Sequence, residues 1–277
     1  MTSTPSHLSG IHTCKSCGHQ FSGEYCNACG EKVLLPADRS FKTVLNNLLI
    51  SITFTDNRSI KTLWLIIKNP GFISREFAEG RRVKYLKPIS VFFVLNLIYF
   101  FFPTIQLFNA SFKTQLLSPL GKFYQSIIAH KIVNMGTDLS GFELLFNLKT
   151  VSLAKLMVMV FMVIASLPLN VLYAKRNRYF TDHMGYMVEL ACFNLFINTI
   201  LLTLISHFLG FGPYLTENVL TAIFIATNLY FLLRSGWTFY GERNAMLVIK
   251  SVFMIAVLKV SLELYRSVLF FVTIWSL

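Results

Sequence analysis

Polar residues fill the first forty positions of the chain, and long apolar runs fill most of the remainder. The first run, "ISVFFVLNLIYFFFPTIQLF" at 89–108, is long enough at about 1.5 Å of rise per residue to cross a bilayer core of roughly 30 Å. Further spans are read at 153–174, 187–208 and 219–233. The last segment, 245–277, is apolar at both ends and carries Lys259, Glu263 and Arg266 between them. As one helix it would be about 50 Å long, more than a tilted span requires. It reads as a span at 245–265 with an apolar tail, or as two short segments, so the count is five with six as the alternative. Residues 110–150 are a mixed stretch without a span and read as a long loop.

Ahead of the first span the pattern is helical but interrupted. Phe41, Val44, Leu45, Leu48, Leu49 and Ile52 recur at helical spacing behind Ser40, a candidate cap, and "NRSIKTLWLIIKN" follows, ending before Pro70 and Gly71. Both stretches are short with polar ends, which predicts amphipathic helices lying on the membrane surface or against the bundle. The predicted fold is an all-α polytopic membrane bundle over 89–277. It is preceded by amphipathic juxtamembrane helices and a basic collar over 33–88, a small metal knuckle over 14–32, and a disordered tail over 1–13.

Composition supports lipid as the solvent. Only 14% of the 277 residues are charged and mean hydropathy is +0.57, whereas a soluble domain carries about 25% charge. The formal charge of +12 would point to nucleic acid in a soluble protein; in a membrane protein it points to cytoplasmic loops and anionic lipid heads. Twelve Lys and Arg precede the first span, "KRNR" follows the second, Arg234 and Arg243 follow the fourth, and the turn between the third and fourth has none. That asymmetry places the amino terminus in the cytoplasm. The four Lys of the 110–150 stretch then fall on the outer face and fit less well. The first forty residues hold no apolar run of signal-peptide length. Collar residues Arg75, Arg81, Arg82, Lys84 and Lys87 are the expected contacts to lipid headgroups or a protein partner.

The stretch "CKSCGHQFSGEYCNACG" contains Cys14-x2-Cys17 and Cys26-x2-Cys29, with eight residues between the two hooks. Four thiolates so spaced can close tetrahedrally around one Zn2+ at about 2.3 Å each, and Gly18 and Gly30 follow each hook where a tight turn needs positive φ. Two disulfides would need an oxidising compartment, which the orientation argues against. Iron is the second metal option, although so short a connection shields a redox centre poorly. With four Cys ligands the site is closed, hence structural zinc and not catalytic. Lys15 and Lys32 cancel Glu24 and Glu31, so no nucleic-acid partner is expected.

The knuckle, the block "NPGFISREFAEGRRVKYLKPISVFF" and the later "DHMGYMVEL" together resemble the bacterial zinc-ribbon membrane family named domain of unknown function 3667. Pro70, Gly71, Arg75, Glu76, Gly80, Arg82, Tyr85 and Pro88 map onto its most specific block. The knuckle ends in "CGE", where the family commonly has Gln, at a position without a ligand role. The resemblance implies a bacterial inner-membrane protein with several spans and implies no particular activity.

Ionisable and amide groups at membrane depth raise the question of a site. At 100° per residue Asn194 and Asn198 fall at about 20° and about 60° from His183, one stripe, while Glu189 faces elsewhere. The stripe is either a polar seam for substrate, ion or proton passage, or interhelical hydrogen bonding. Lys259, Glu263 and Arg266 share a face and read as a structural ion ladder. Asn96, Asn170, Asn228 and Lys250 stand isolated, and Cys192 reads as a small hydrophobe. Hydrolase, zinc-protease, P-loop and dinucleotide motifs are missing. The sequence thus suggests a non-enzymatic inner-membrane protein with a cytoplasmic zinc head for docking or regulation. The alternative is a transporter, channel or lipid-moving protein built on the seam.

Overall fold

The computed structural model describes residues 11–33, 57–101, 108–176 and 178–277. The helix expected over residues 41–54 lies outside them. Two short antiparallel strands, β1 (Ile11–Thr13) and β2 (Gln20–Ser22), pair Ile11 with Ser22 and Thr13 with Gln20. The tail read as disordered to residue 13 therefore cedes its last three residues to a strand.

Helices α1 (Asn57–Lys68) and α2 (Phe72–Ala78) form a hairpin whose tip is Asn69–Pro70–Gly71. Proline ends α1 because it cannot continue the ladder, and Gly71 turns the chain at φ 79°. The hairpin packs against the bundle: Thr62, Ile66 and Ile73 are wholly buried. On the other side of α1, Ile60, Lys61, Trp64 and Lys68 are exposed.

Helix α3 (Pro88–Phe101) covers the first 13 residues of the run expected to span over 89–108. Residues 102–107 are outside the described set. The stretch read as a loop over 110–150 is largely helical, with α4 (Phe112–Leu116), α5 (Gly121–Met135) and the first part of α6 (Leu139–Leu172). Four of its five aromatic residues, Phe112, Tyr124, Phe142 and Phe146, are too widely spaced to show a period. They collect in space with Phe270 and Ile274 as a second small core.

Asp138 caps α6 through the amide of Gly141, and α6 bends by 64° between its arms Leu139–Ala154 and Leu156–Leu172. Helix α7 (Phe180–Phe208) contains a π-helical stretch at Leu195–Leu201, α8 is Glu217–Tyr240, and α9 is Ala245–Ser276. The last segment is thus one unbroken helix of 32 residues. Its excess length carries Phe270 and Ile274 to the second core. Among the described residues three helices, α7, α8 and α9, are long and apolar enough to cross a membrane, four if the arms of α6 count as one span. Outward-facing Val248, Val252, Phe253, Val260, Leu264 and Phe271 give α9 an apolar exterior suited to lipid.

Candidate metal centre and polar contacts

Two equivalent turns build the knuckle. Gly18 N–H donates to Cys14 O and Gly30 N–H to Cys26 O, each at 2.8 Å, and both glycines take positive φ. The four Sγ atoms lie within 4.8 Å of one another, with Cys14–Cys29 at 3.4 Å and Cys17–Cys26 at 3.6 Å. A tetrahedron with metal–sulfur bonds of about 2.3 Å has edges of about 3.8 Å, so the cluster fits one ion, and all four cysteines are free thiols. Burial works to raise the Cys14 thiol, but amides of Cys17 and Ser16 and the neighbouring thiols outweigh it and bring it down to about 7. That gives the cluster a ready first thiolate, the form a metal binds.

Beside the cluster, Glu31 is 5% exposed, and its carboxylate accepts from Ser16 Oγ at 2.5 Å. The same carboxylate accepts the backbone N–H groups of Arg82 at 3.0 Å and Val83 at 3.2 Å. The residue to which the sequence reading gave no ligand role therefore latches the knuckle to the collar. Gln, common at this position in the resembling family, keeps one acceptor oxygen and would preserve part of the latch. A cavity of about 310 Å³ remains between knuckle and hairpin, lined among others by His12, Lys15, Phe21, Glu31 and Glu79.

Within the collar the charges are largely occupied. Arg81 donates Nε to Glu76 at 2.8 Å, its terminal nitrogen also reaches Glu76, and it lies 2.5 Å from Glu79. The Glu76 hydrogen bond, with Glu79 behind it, holds the Arg81 guanidinium above its ordinary value. Arg75 sits over the Phe72 ring at 5.3 Å, and Arg82 Nε donates to Phe77 O. Of the five expected headgroup contacts, Lys84 and Lys87 are the exposed ones.

The hairpin tip is held by Glu189 of α7, which is wholly buried. Its carboxylate accepts Gly71 N–H at 2.7 Å, Ser74 N–H at 2.8 Å and the Ser74 hydroxyl. Those amides open α2 and lack helical partners, so an acceptor there satisfies them and suits the helix dipole. A Cβ on Gly71 would lie 2.9 Å from Ser235 Cα, so only glycine permits this approach.

Between α7 and the antiparallel α8 runs a row of polar pairs. His183 Nδ1 meets Tyr240 OH at 2.8 Å, and Tyr186 OH meets Ser235 Oγ at 2.6 Å. Asn194 and Asn228 exchange amide bonds at 3.0 and 2.9 Å. Asn198 donates to Thr227 at 3.0 Å and to Asn194 at 2.8 Å. The structure thus joins Asn194 to Asn198 but leaves His183 about 16 Å further along the helix. Asn228, isolated in the sequence, is thus paired, and its fellow partners Ser235 and Tyr240 carry no signal there, since pairing across helices leaves no local spacing. His183 instead joins a cluster in which Tyr173 stacks on Tyr240 at 3.5 Å and Lys250 lies 4.4 Å over Tyr173. Glu242 there pairs with Lys250 at 2.6 Å and Arg176 at 3.3 Å. On α9, Glu263 lies 3.5 Å from Lys259 and 3.3 Å from Arg266.

Residues 56–100 match the model of a family described as a protein of unknown function, DUF3667. This is the family the collar block resembles, and the match covers the hairpin, the collar and α3. No curated protein and no solved structure matches the chain.

Proposed function

We propose that this is a non-enzymatic protein of the bacterial inner membrane whose amino-terminal head holds one structural Zn2+ and regulates or recruits at the cytoplasmic face. In this reading the amino terminus is cytoplasmic and the spans number five, with α3 belonging to the first. The observation that carries it is the Glu31 latch: Ser16 of the knuckle and the collar amides share one carboxylate. Cys29 and Gly30 directly precede Glu31, so the ion that fixes the turn also fixes the carboxylate. Metal occupancy is thereby linked to the order of the collar loop, and a protein partner of the head would act on the same linkage.

Metal analysis and limited proteolysis of the purified full-length chain test this reading. One zinc per chain is expected, lost when Cys14 and Cys26 are both serine. Trypsin is expected to cut after Arg81 and Arg82 severalfold faster in Glu31→Ala. Zinc-free parent protein, or equal cleavage of Glu31→Ala and the parent, would refute it. The second reading, transport along the α7–α8 row, is favoured by the π-helical stretch at Asn198, where Thr199 Oγ1 is buried without a partner among the described residues. Ion flux in liposomes that survives Asn194→Leu with Asn198→Leu would eliminate it.

A further inference from the structure

In the collar, Arg81 bonds to Glu76 and Arg82 to Phe77 O, whereas a second basic feature gathers on an exposed aromatic ring. On α8, Tyr230, Arg234 and Trp237 recur at helical spacing, and all three side chains are exposed. Gly241 then ends the helix at φ 69°, with its N–H on Trp237 O and the Glu242 N–H on Gly236 O. This left-handed cap turns the chain back, and Arg243 folds over the same indole. Arg234 Cζ lies 5.7 Å and Arg243 Cζ 4.8 Å from the Trp237 ring.

Two guanidiniums on one ring repel each other unless an anion or water separates them. The nearest acid in sequence, Glu242, is committed to Arg176 and Lys250. A guanidinium held over a ring keeps N–H donors that can grip phosphate oxygens. The site sits in the last turns of a helix long and apolar enough to cross a membrane, and the ends of such helices are where exposed Trp and Tyr meet lipid headgroups.

We propose that Arg234, Trp237 and Arg243 form a binding site for the phosphate of an anionic lipid headgroup. It goes beyond the zinc-head reading and does not depend on it, because its three residues belong to α8 and the turn after it, outside the knuckle and collar. A free phosphate or acidic protein would meet the same cations, but only a lipid also brings acyl chains against Trp237.

Lipid quenching of Trp237 fluorescence tests the proposal. The chain has three tryptophans, so full-length protein with Trp64→Phe and Trp275→Phe leaves Trp237 as the sole reporter. It is reconstituted into vesicles of brominated phosphatidylglycerol or brominated phosphatidylcholine mixed with the unbrominated lipids. Quenching is expected to favour the anionic lipid by about fivefold per arginine. The preference is expected to shrink in Arg243→Gln and vanish in Arg234→Gln/Arg243→Gln, with the melting temperature unchanged. Equal quenching by both lipids in the parent would overturn the proposal, as would a preference surviving in the double variant. So would quenching by aqueous iodide with none by either lipid, the mark of a surface facing water or a protein.

Discussion

Replacing Glu189 by alanine is the sharpest test of how the hairpin is held. The substitution removes the acceptor of Gly71 N–H, Ser74 N–H and the Ser74 hydroxyl, all buried and more than a hundred residues away in sequence. Each donor left unpaired away from water costs about 1–3 kcal/mol. Partial relaxation of the tip brings the expected total to about 3–6 kcal/mol, or a melting temperature lower by about 10 °C. Glu189→Gln retains one acceptor oxygen but turns an amide NH2 toward a donor, so its loss is intermediate. Thermal unfolding of the full-length protein in detergent, followed by intrinsic fluorescence, reads both values. Protease sensitivity at residues 69–71 is expected to rise in the same order. A Glu189→Ala protein melting within about 2 °C of the parent would refute the reasoning, as would Glu189→Gln being the less stable of the two.

Gly71→Ala combines a strained φ with a Cβ 2.9 Å from Ser235 Cα, and a loss of about 2–3 kcal/mol is expected by thermal unfolding. Ser235→Gly does not restore it, because the clash includes the Cα, and the effects of Gly71→Ala and Glu189→Ala are less than additive. A double-mutant cycle of Asn194→Leu and Asn228→Leu is expected to give a coupling of about 0.6–2 kcal/mol; zero coupling would remove the amide pair from the stability of the α7–α8 interface.

Some of this architecture is written locally and some is not. The two cysteine hooks are legible because tetrahedral coordination and the turn glycines impose a spacing on adjacent residues. The three long helices are legible because lipid demands continuous apolar runs. Glu31 was invisible as a latch because its partners are backbone amides of Arg82 and Val83, which every residue type but proline offers. Glu189 was read only as facing away from the stripe; its partner is the opening of a helix that nothing near residue 189 announces. Asn228 looked isolated because its counterpart is 34 positions away on an antiparallel helix. Residues 110–150 looked like a loop because their aromatics are too sparse to show a period, and their core is completed by Phe270 and Ile274 of α9.

The central claim is that metal in the head orders the collar, and amide hydrogen exchange at Arg82 and Val83 measures it most directly. In the full-length protein with zinc, both amides are expected to be protected through Glu31. Chelation is expected to speed their exchange by about tenfold, as loss of roughly one hydrogen bond's worth of free energy would. Readdition of zinc restores protection, and Glu31→Ala shows the fast rate with zinc present. Exchange at these two amides that is the same with and without metal would contradict the account.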